Sequence, residues 1–171
     1  IDKRFYTKNF NKLAFLKSKI LLSANEKQKS FENLTIIIKK ILKFSINRKT
    51  ELICIGGGIT QDIVSFLSSI LLRGINWNFY PTTLLSQADS CIGGKTSINF
   101  LGTKNQIGNF YPPRKIIINV NFLDTLNQNQ IISGIGEMAH YFLFASNEEY
   151  LFFKKKINTL LLRNNKDIKL C

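Results

Sequence analysis

Four stretches of this 171-residue chain gather the residue types that chemistry needs. The first, Gly56-Gly57-Gly58-Ile59-Thr60-Gln61-Asp62, joins an apolar run to a helix pattern. Glycines let a backbone approach a phosphate closely, and a helix N-terminus offers free N–H groups and a positive dipole end. The spacing is not the GxGxxG of an ordinary dinucleotide turn. Three adjacent glycines at such a junction favour phosphate binding over a turn shaped by sterics alone. The second stretch runs from Pro81-Thr82-Thr83 through Asp89-Ser90-Cys91 to Gly93-Gly94-Lys95-Thr96. It ends like a P-loop, but Asp89 stands where a P-loop needs its first glycine, which excludes a triphosphatase. What is left is a polar loop suited to an anionic ligand, or a solvated surface loop. The third, Gly102-Thr103-Lys104-Asn105-Gln106-Ile107-Gly108, is another glycine-bracketed lysine. The fourth, Gly134-Ile135-Gly136-Glu137-Met138-Ala139-His140, puts Glu137 and His140 at i, i+3 on one helical face, a spacing that metal ligands use. His140 is the single histidine, so this stretch cannot build a His-rich metal site alone.

Elements that would position these residues follow from periodicity. Leu34, Ile37, Ile38, Ile41 and Leu42 predict an amphipathic helix opening near Ser30. Leu52–Ile55 reads as a buried parallel strand running into the glycines, and Ile63, Phe66, Leu67, Ile70 and Leu71 as a helix with Asp62 at its start. Ile75, Trp77 and Phe79 alternate as a strand closed by Pro81, and Lys115–Val120 reads as another. From Asp124 onward only helical patterns occur, over Ile131–Phe142 and Tyr150–Leu162. Strands alternating with helices predict an α/β fold with a largely parallel sheet. The expected division is an α/β domain over residues 1–123 and the beginning of a helical one over residues 124–171.

Charge sharpens where to look. The formal net charge is +13, but residues 51–140 carry five basic and five acidic side chains, so the surplus lies at the two ends. Arg73, Lys95 and Lys104 therefore stand out in a neutral middle, whereas a basic nucleic-acid-binding module finds no recognition motif to support it. No apolar run reaches the roughly 18–20 residues of a membrane helix, and no secretory leader is evident. Three widely spaced cysteines without CxxC argue for a reducing, cytoplasmic setting.

Taken together, from about Asn25 to His140, these residues resemble the 3-dehydroquinate synthases and, more broadly, the sugar phosphate cyclases. The family pattern of a GE-x-x-K turn, GGG-x-x-GD, R-G, PTTLL-x-Q-x-DSS-x-GGKT, GKN-x-IG and E-x-x-K occurs here in order. Family chains are about twice as long, which makes this chain a piece of one. The resemblance implies a Rossmann-like parallel-sheet nucleotide-binding domain followed by a helical metal-binding domain. It also implies a lyase of the shikimate pathway that converts 3-deoxy-D-arabino-heptulosonate 7-phosphate to 3-dehydroquinate and phosphate. NAD oxidises one ring alcohol transiently, phosphate is eliminated, the carbonyl is reduced back and an intramolecular aldol step closes the ring. A divalent metal, zinc or cobalt, assists.

Carried over by position, Asn25, Glu26 and Lys29 would meet the cofactor, and Gly57, Gly58, Ile59, Thr60, Gln61 and Asp62 would hold its pyrophosphate. Thr82 and Thr83 would take its adenosine side, with Lys95, Lys104, Phe122 and Thr125 completing the pocket. Asp89, Lys95, Asn105 and His140 would face the substrate, Arg73 would reach its phosphate from the neighbouring subunit of a homodimer, and Glu137 would be the first metal ligand. The two histidine ligands of the family would lie beyond Cys171, so this piece alone is expected to be inactive. Among the departures from the pattern, Asn25 and Gln61 replace glycines, and His140 replaces the lysine of E-x-x-K. The last opens the reading of a cyclase acting on another sugar phosphate, similar to 2-epi-5-epi-valiolone synthase. Glycerol- and iron-type alcohol dehydrogenases share the GGG turn and PTT segment, but not GGKT or GKN.

Overall fold

The computed structural model describes all of residues 1–171. A parallel three-stranded sheet in the order β1-β2-β5 lies at its centre, built from Glu51–Gly56 (β1), Asn76–Pro81 (β2) and Lys115–Ile116 (β5). The crossover between β1 and β2 is helix α4, Gly58–Ile70, which begins a full turn earlier than the apolar pattern suggested, so Asp62 sits in its second turn. The strand expected over Lys115–Val120 shortens to two residues, because the chain turns into a 3₁₀ segment at Val120–Thr125.

Ahead of the sheet come two short helices, α1 (Lys3–Lys8) and α2 (Phe10–Leu13), then a 3₁₀ turn at Glu26–Lys29 and α3 (Phe31–Leu42), capped by the Ser30 hydroxyl. Trp77 and Phe79 on β2 are buried with Cys54 and Cys91 on one face of the sheet, while Asn78 is buried on the other. The alternation of that strand is therefore one of apolar and polar residues, not of inside and outside.

The two glycine-bracketed stretches expected to be loops form an antiparallel hairpin, β3 (Lys95–Phe100) and β4 (Thr103–Phe110). Its two-residue tip, Leu101-Gly102, has positive φ at both positions (47° and 79°), the backbone of a tight hairpin turn. Gly108 is obligatory, since a methyl group there would lie 2.0 Å from the Thr96 carbonyl oxygen. Polarity concealed these strands: β4 is exposed along nearly its whole length, and only Ile98 of β3 enters the core formed with α3 and α4.

Beyond the 3₁₀ segment lie α5 (Gln128–Leu143), α6 (Asn147–Leu161) and α7 (Asn165–Leu170). Reciprocal capping boxes, Asn127 with Gln130 and Ser146 with Glu149, start the first two of them. Ile131, Ile135 and Met138 form the expected stripe and bury themselves with Leu84, Leu123, Phe153 and Leu160. Gly134 sits against Leu84 so closely that a methyl group would lie 2.5 Å from the Leu84 Cβ.

Candidate functional site

The carboxyl ends of β1 and β2 open onto a crevice of about 710 Å³. Gly56 and Pro81 end the paired strands, and the Thr82 amide donates to the Gly56 carbonyl at 2.9 Å, holding the two departing chains together. Gly57 is the N-cap of α4 and has no side chain to satisfy the first-turn N–H groups, which stay available to a ligand. A methyl group on Gly57 would meet Thr83 Cγ2 at 2.8 Å, so glycine keeps the floor of the crevice open. Asn25, Gly57, Gly58, Ile59, Thr82, Thr83 and Thr125 line this space. Asp2, Lys3, Arg4 and Lys8 line it too. The Asp2 carboxylate caps α1 through the Arg4 and Phe5 amides, while the Lys8 ammonium donates to the Thr125 carbonyl. Sequence reasoning passed over these four because they lay in a generally basic end, with no glycine to mark them.

A second group of side chains ties the segments around the crevice together. Lys29 is buried, and its ammonium donates to Asp62 Oδ2 at 2.7 Å and to Asn105 Oδ1 at 2.8 Å. Burial pushes the Asp62 carboxyl above the usual carboxylate range, and the Lys29 ammonium pulls it partly back. Asn105 has a left-handed backbone (φ 57°), and its N–H donates to Asn99 Oδ1 at 3.0 Å. Asn99 in turn donates to Glu26 Oε1 at 2.8 Å. The Glu26–Lys29 turn is thus brought into one network with Asp62 and Asn105, which lie far from it in sequence.

Gln61 turns away from the crevice. Its side chain is buried, donating to the Ser90 carbonyl at 2.6 Å and accepting from the Ser90 hydroxyl at 2.8 Å. The residue that replaces a family glycine therefore staples α4 to the turn carrying Asp89. That turn is π-helical over Ser86–Ser90, with Gln87 donating back to the Pro81 and Asn119 carbonyls at 3.0 and 3.1 Å. Asp89 accepts a hydrogen bond from the hydroxyl of Tyr141, which raises the Tyr141 phenol above its ordinary value. Tyr141 follows His140 directly on α5; one aromatic beside the only histidine gave no signal in the sequence.

The remaining residues spread outward. Lys95 and Lys104 are exposed on the hairpin, and Phe122 packs edge-on against Phe5 with ring centroids 5.0 Å apart. Arg73 is exposed beyond the C-terminal end of α4, in a corner where Leu72, Arg73 and Gly74 all have positive φ. The 13 residues of α4 span about 20 Å, so Arg73 stands at the far end of the sheet from the crevice. Glu137 and His140 share α5, but no three His, Cys, Asp or Glu side chains converge as a metal site requires. The residues of this chain do not by themselves fit a metal.

A parallel sheet with a glycine turn feeding a helix N-terminus over a crevice rimmed with cations defines a Rossmann-like α/β domain. The family model described as 3-dehydroquinate synthase N-terminal matches residues 19–133, and the chain belongs to that family. It is 41% identical over 145 residues to the 3-dehydroquinate synthase of Dictyoglomus turgidum, covering 85% of this chain and 41% of that protein. Among solved structures, it is similar to a 2-epi-5-epi-valiolone synthase from Streptomyces hygroscopicus with NAD+ and Zn2+ bound. The TM-score there is 0.88 at 25% identity, covering 95% of this chain and 47% of that one. A 2-deoxy-scyllo-inosose synthase complexed with carbaglucose-6-phosphate, NAD+ and Co2+ has a TM-score of 0.71 at 24% identity, over 88% of this chain and 43% of that one. The chain spans about two-fifths of the length of the curated relatives it matches.

Proposed function

We propose that this chain is the cofactor-binding part of a 3-dehydroquinate synthase, with residues 1–123 as the nucleotide domain and 124–171 opening the helical one. The observation that carries this reading is the family match over residues 19–133 together with a crevice whose floor only glycine leaves open. The full protein would convert 3-deoxy-D-arabino-heptulosonate 7-phosphate to 3-dehydroquinate and phosphate in the cytoplasm. The 41% identity to a dehydroquinate synthase supports that substrate over those of the other cyclases.

The crevice fits NAD, which when bound supplies a reversible hydride acceptor. Pyrophosphate oxygens would accept from the free amides of the first turn of α4, with Thr82 and Thr83 hydroxyls beside them. Lys3, Arg4 and Lys8 would add positive potential at the mouth. Asp89, Lys95 and Asn105 would hold and orient the sugar phosphate, with Tyr141 fixing the Asp89 carboxylate. Arg73, beyond the C-terminal end of α4, would meet the substrate phosphate of the neighbouring subunit in a homodimer. Glu137 would contribute to a metal site only with ligands from outside this chain, and no step is assigned to it.

Calorimetric titration of the chain with NAD tests the reading, with saturable binding expected that is lost in Gly57→Val. An unaltered NAD affinity in that variant, or no binding by the native chain, would refute it. For the full protein, phosphate release from 3-deoxy-D-arabino-heptulosonate 7-phosphate, with no net NADH, is the expected assay result.

A further inference from the structure

The network around Lys29 has a directional property that neither partner has alone. A lysine ammonium is donor-only, so the Asn105 atom 2.8 Å from it must be the carboxamide oxygen. The Ser97 hydroxyl donates to that same oxygen at 2.6 Å. Lys29 is itself fixed by burial and by Asp62 at 2.7 Å, and the Asn105 backbone is fixed by Asn99. Both lone-pair directions of Oδ1 are therefore occupied from within, whereas the NH2 group of Asn105, on the exposed strand β4, donates to nothing in the chain.

We propose that Lys29 and Ser97 are positioning residues that lock the Asn105 carboxamide with its oxygen inward, so that Asn105 offers the substrate side of the site donors alone. At that point the site accepts an oxygen that takes hydrogen bonds, such as that of a phosphate, and discriminates against a group that can only donate. The ligand half of this inference rests on the reading of the chain as a dinucleotide- and sugar-phosphate-binding domain, while the locking itself does not.

Nitrogen-15 NMR of the 171-residue chain separates the two. In the native chain both Asn105 side-chain amide protons should exchange with water as fast as those of a free asparagine. In Lys29→Met the released carboxamide turns its NH2 toward the Asp62 carboxylate, and one proton should slow by about tenfold or more, roughly the strength of one hydrogen bond. Lys29→Arg, which keeps a donor-only cation, should restore fast exchange. A slowed proton in the native chain, or unchanged exchange in Lys29→Met with the fold retained by its methyl spectrum, overturns the locking. With NAD present, titration with inorganic phosphate should shift the Asn105 NH2 resonance in the native chain and not in Lys29→Met. If NAD shifts the Gly57–Ile59 amides but phosphate leaves Asn105 untouched, recognition by Asn105 is overturned; if NAD shifts neither, the failure lies with the dinucleotide reading.

Discussion

Replacing Lys29 with methionine leaves the Asp62 carboxyl in place while removing the cation that pairs with it at 2.7 Å. Breaking a fully enclosed ion pair in this way costs about 3–5 kcal/mol. Asp62 retains 22% exposure of its side chain and can also take up a proton, so the expected loss at pH 7 is nearer about 2–3 kcal/mol. In a chain of this length that lowers the thermal midpoint by roughly 5–10 °C. The pH dependence carries the stronger test. Burial raises the folded-state value of Asp62 above its unfolded one, so the native chain holds this proton more tightly. Ionisation then works against the fold: there is no penalty below the unfolded value, and the penalty grows as pH rises through the raised native value. Removing Lys29 raises that value further, so the deficit of Lys29→Met should shrink toward pH 4 and widen toward pH 7. Lys29→Met with Asp62→Asn, which has no charge to strand, should recover most of the loss. Urea denaturation followed by circular dichroism at the two pH values reads Lys29→Met, Asp62→Asn and the double variant. Equal deficits at pH 4 and pH 7, or additive losses in the double variant, would refute the reasoning.

Three further outcomes follow from the geometry. Gln61→Gly removes both hydrogen bonds to Ser90 and places glycine inside α4, and should cost about 2–3 kcal/mol by urea denaturation, with no gain in NAD affinity because the native side chain faces away from the crevice. Gly57→Val should weaken NAD binding by calorimetry at least tenfold, or about 1.4 kcal/mol, since its Cβ would lie 2.8 Å from Thr83 Cγ2. An ultraviolet titration should find one tyrosine ionising above the ordinary range, and Asp89→Asn should bring it down, because the Asp89 carboxylate accepts the Tyr141 proton.

Patterns that repeat along the sequence were the ones that could be read there. The glycine run between an apolar strand and an amphipathic helix fixed the β1–α4–β2 unit and the crevice at its end, because burial and backbone approach leave local signatures. The hairpin was opaque, since a strand exposed on both faces has no alternation to display, and the demand for Gly108 comes from a carbonyl twelve residues earlier. The Lys29–Asp62–Asn105 network was equally hidden, as its members are 33 and 76 residues apart and meet only once three elements have packed. Gln61 shows the converse. Its identity signalled a departure from the family turn, but its partner Ser90, and so its role as a staple, could be found only in three dimensions.

The absence of a side chain at Gly134 has a mechanical consequence. With 2.5 Å between its would-be methyl carbon and Leu84, α5 and the segment leading into the Asp89 turn meet without slack, and Tyr141 ties the same two bodies together farther along the helix. Displacement of α5 is thereby transmitted to the Asp89 carboxylate with little loss. On its other side the same turn is joined to α4 by the Gln61–Ser90 pair, so the Asp89 carboxylate is held relative to both helices. One of those two attachments is made by a side chain, Gln61, that the family pattern does not supply.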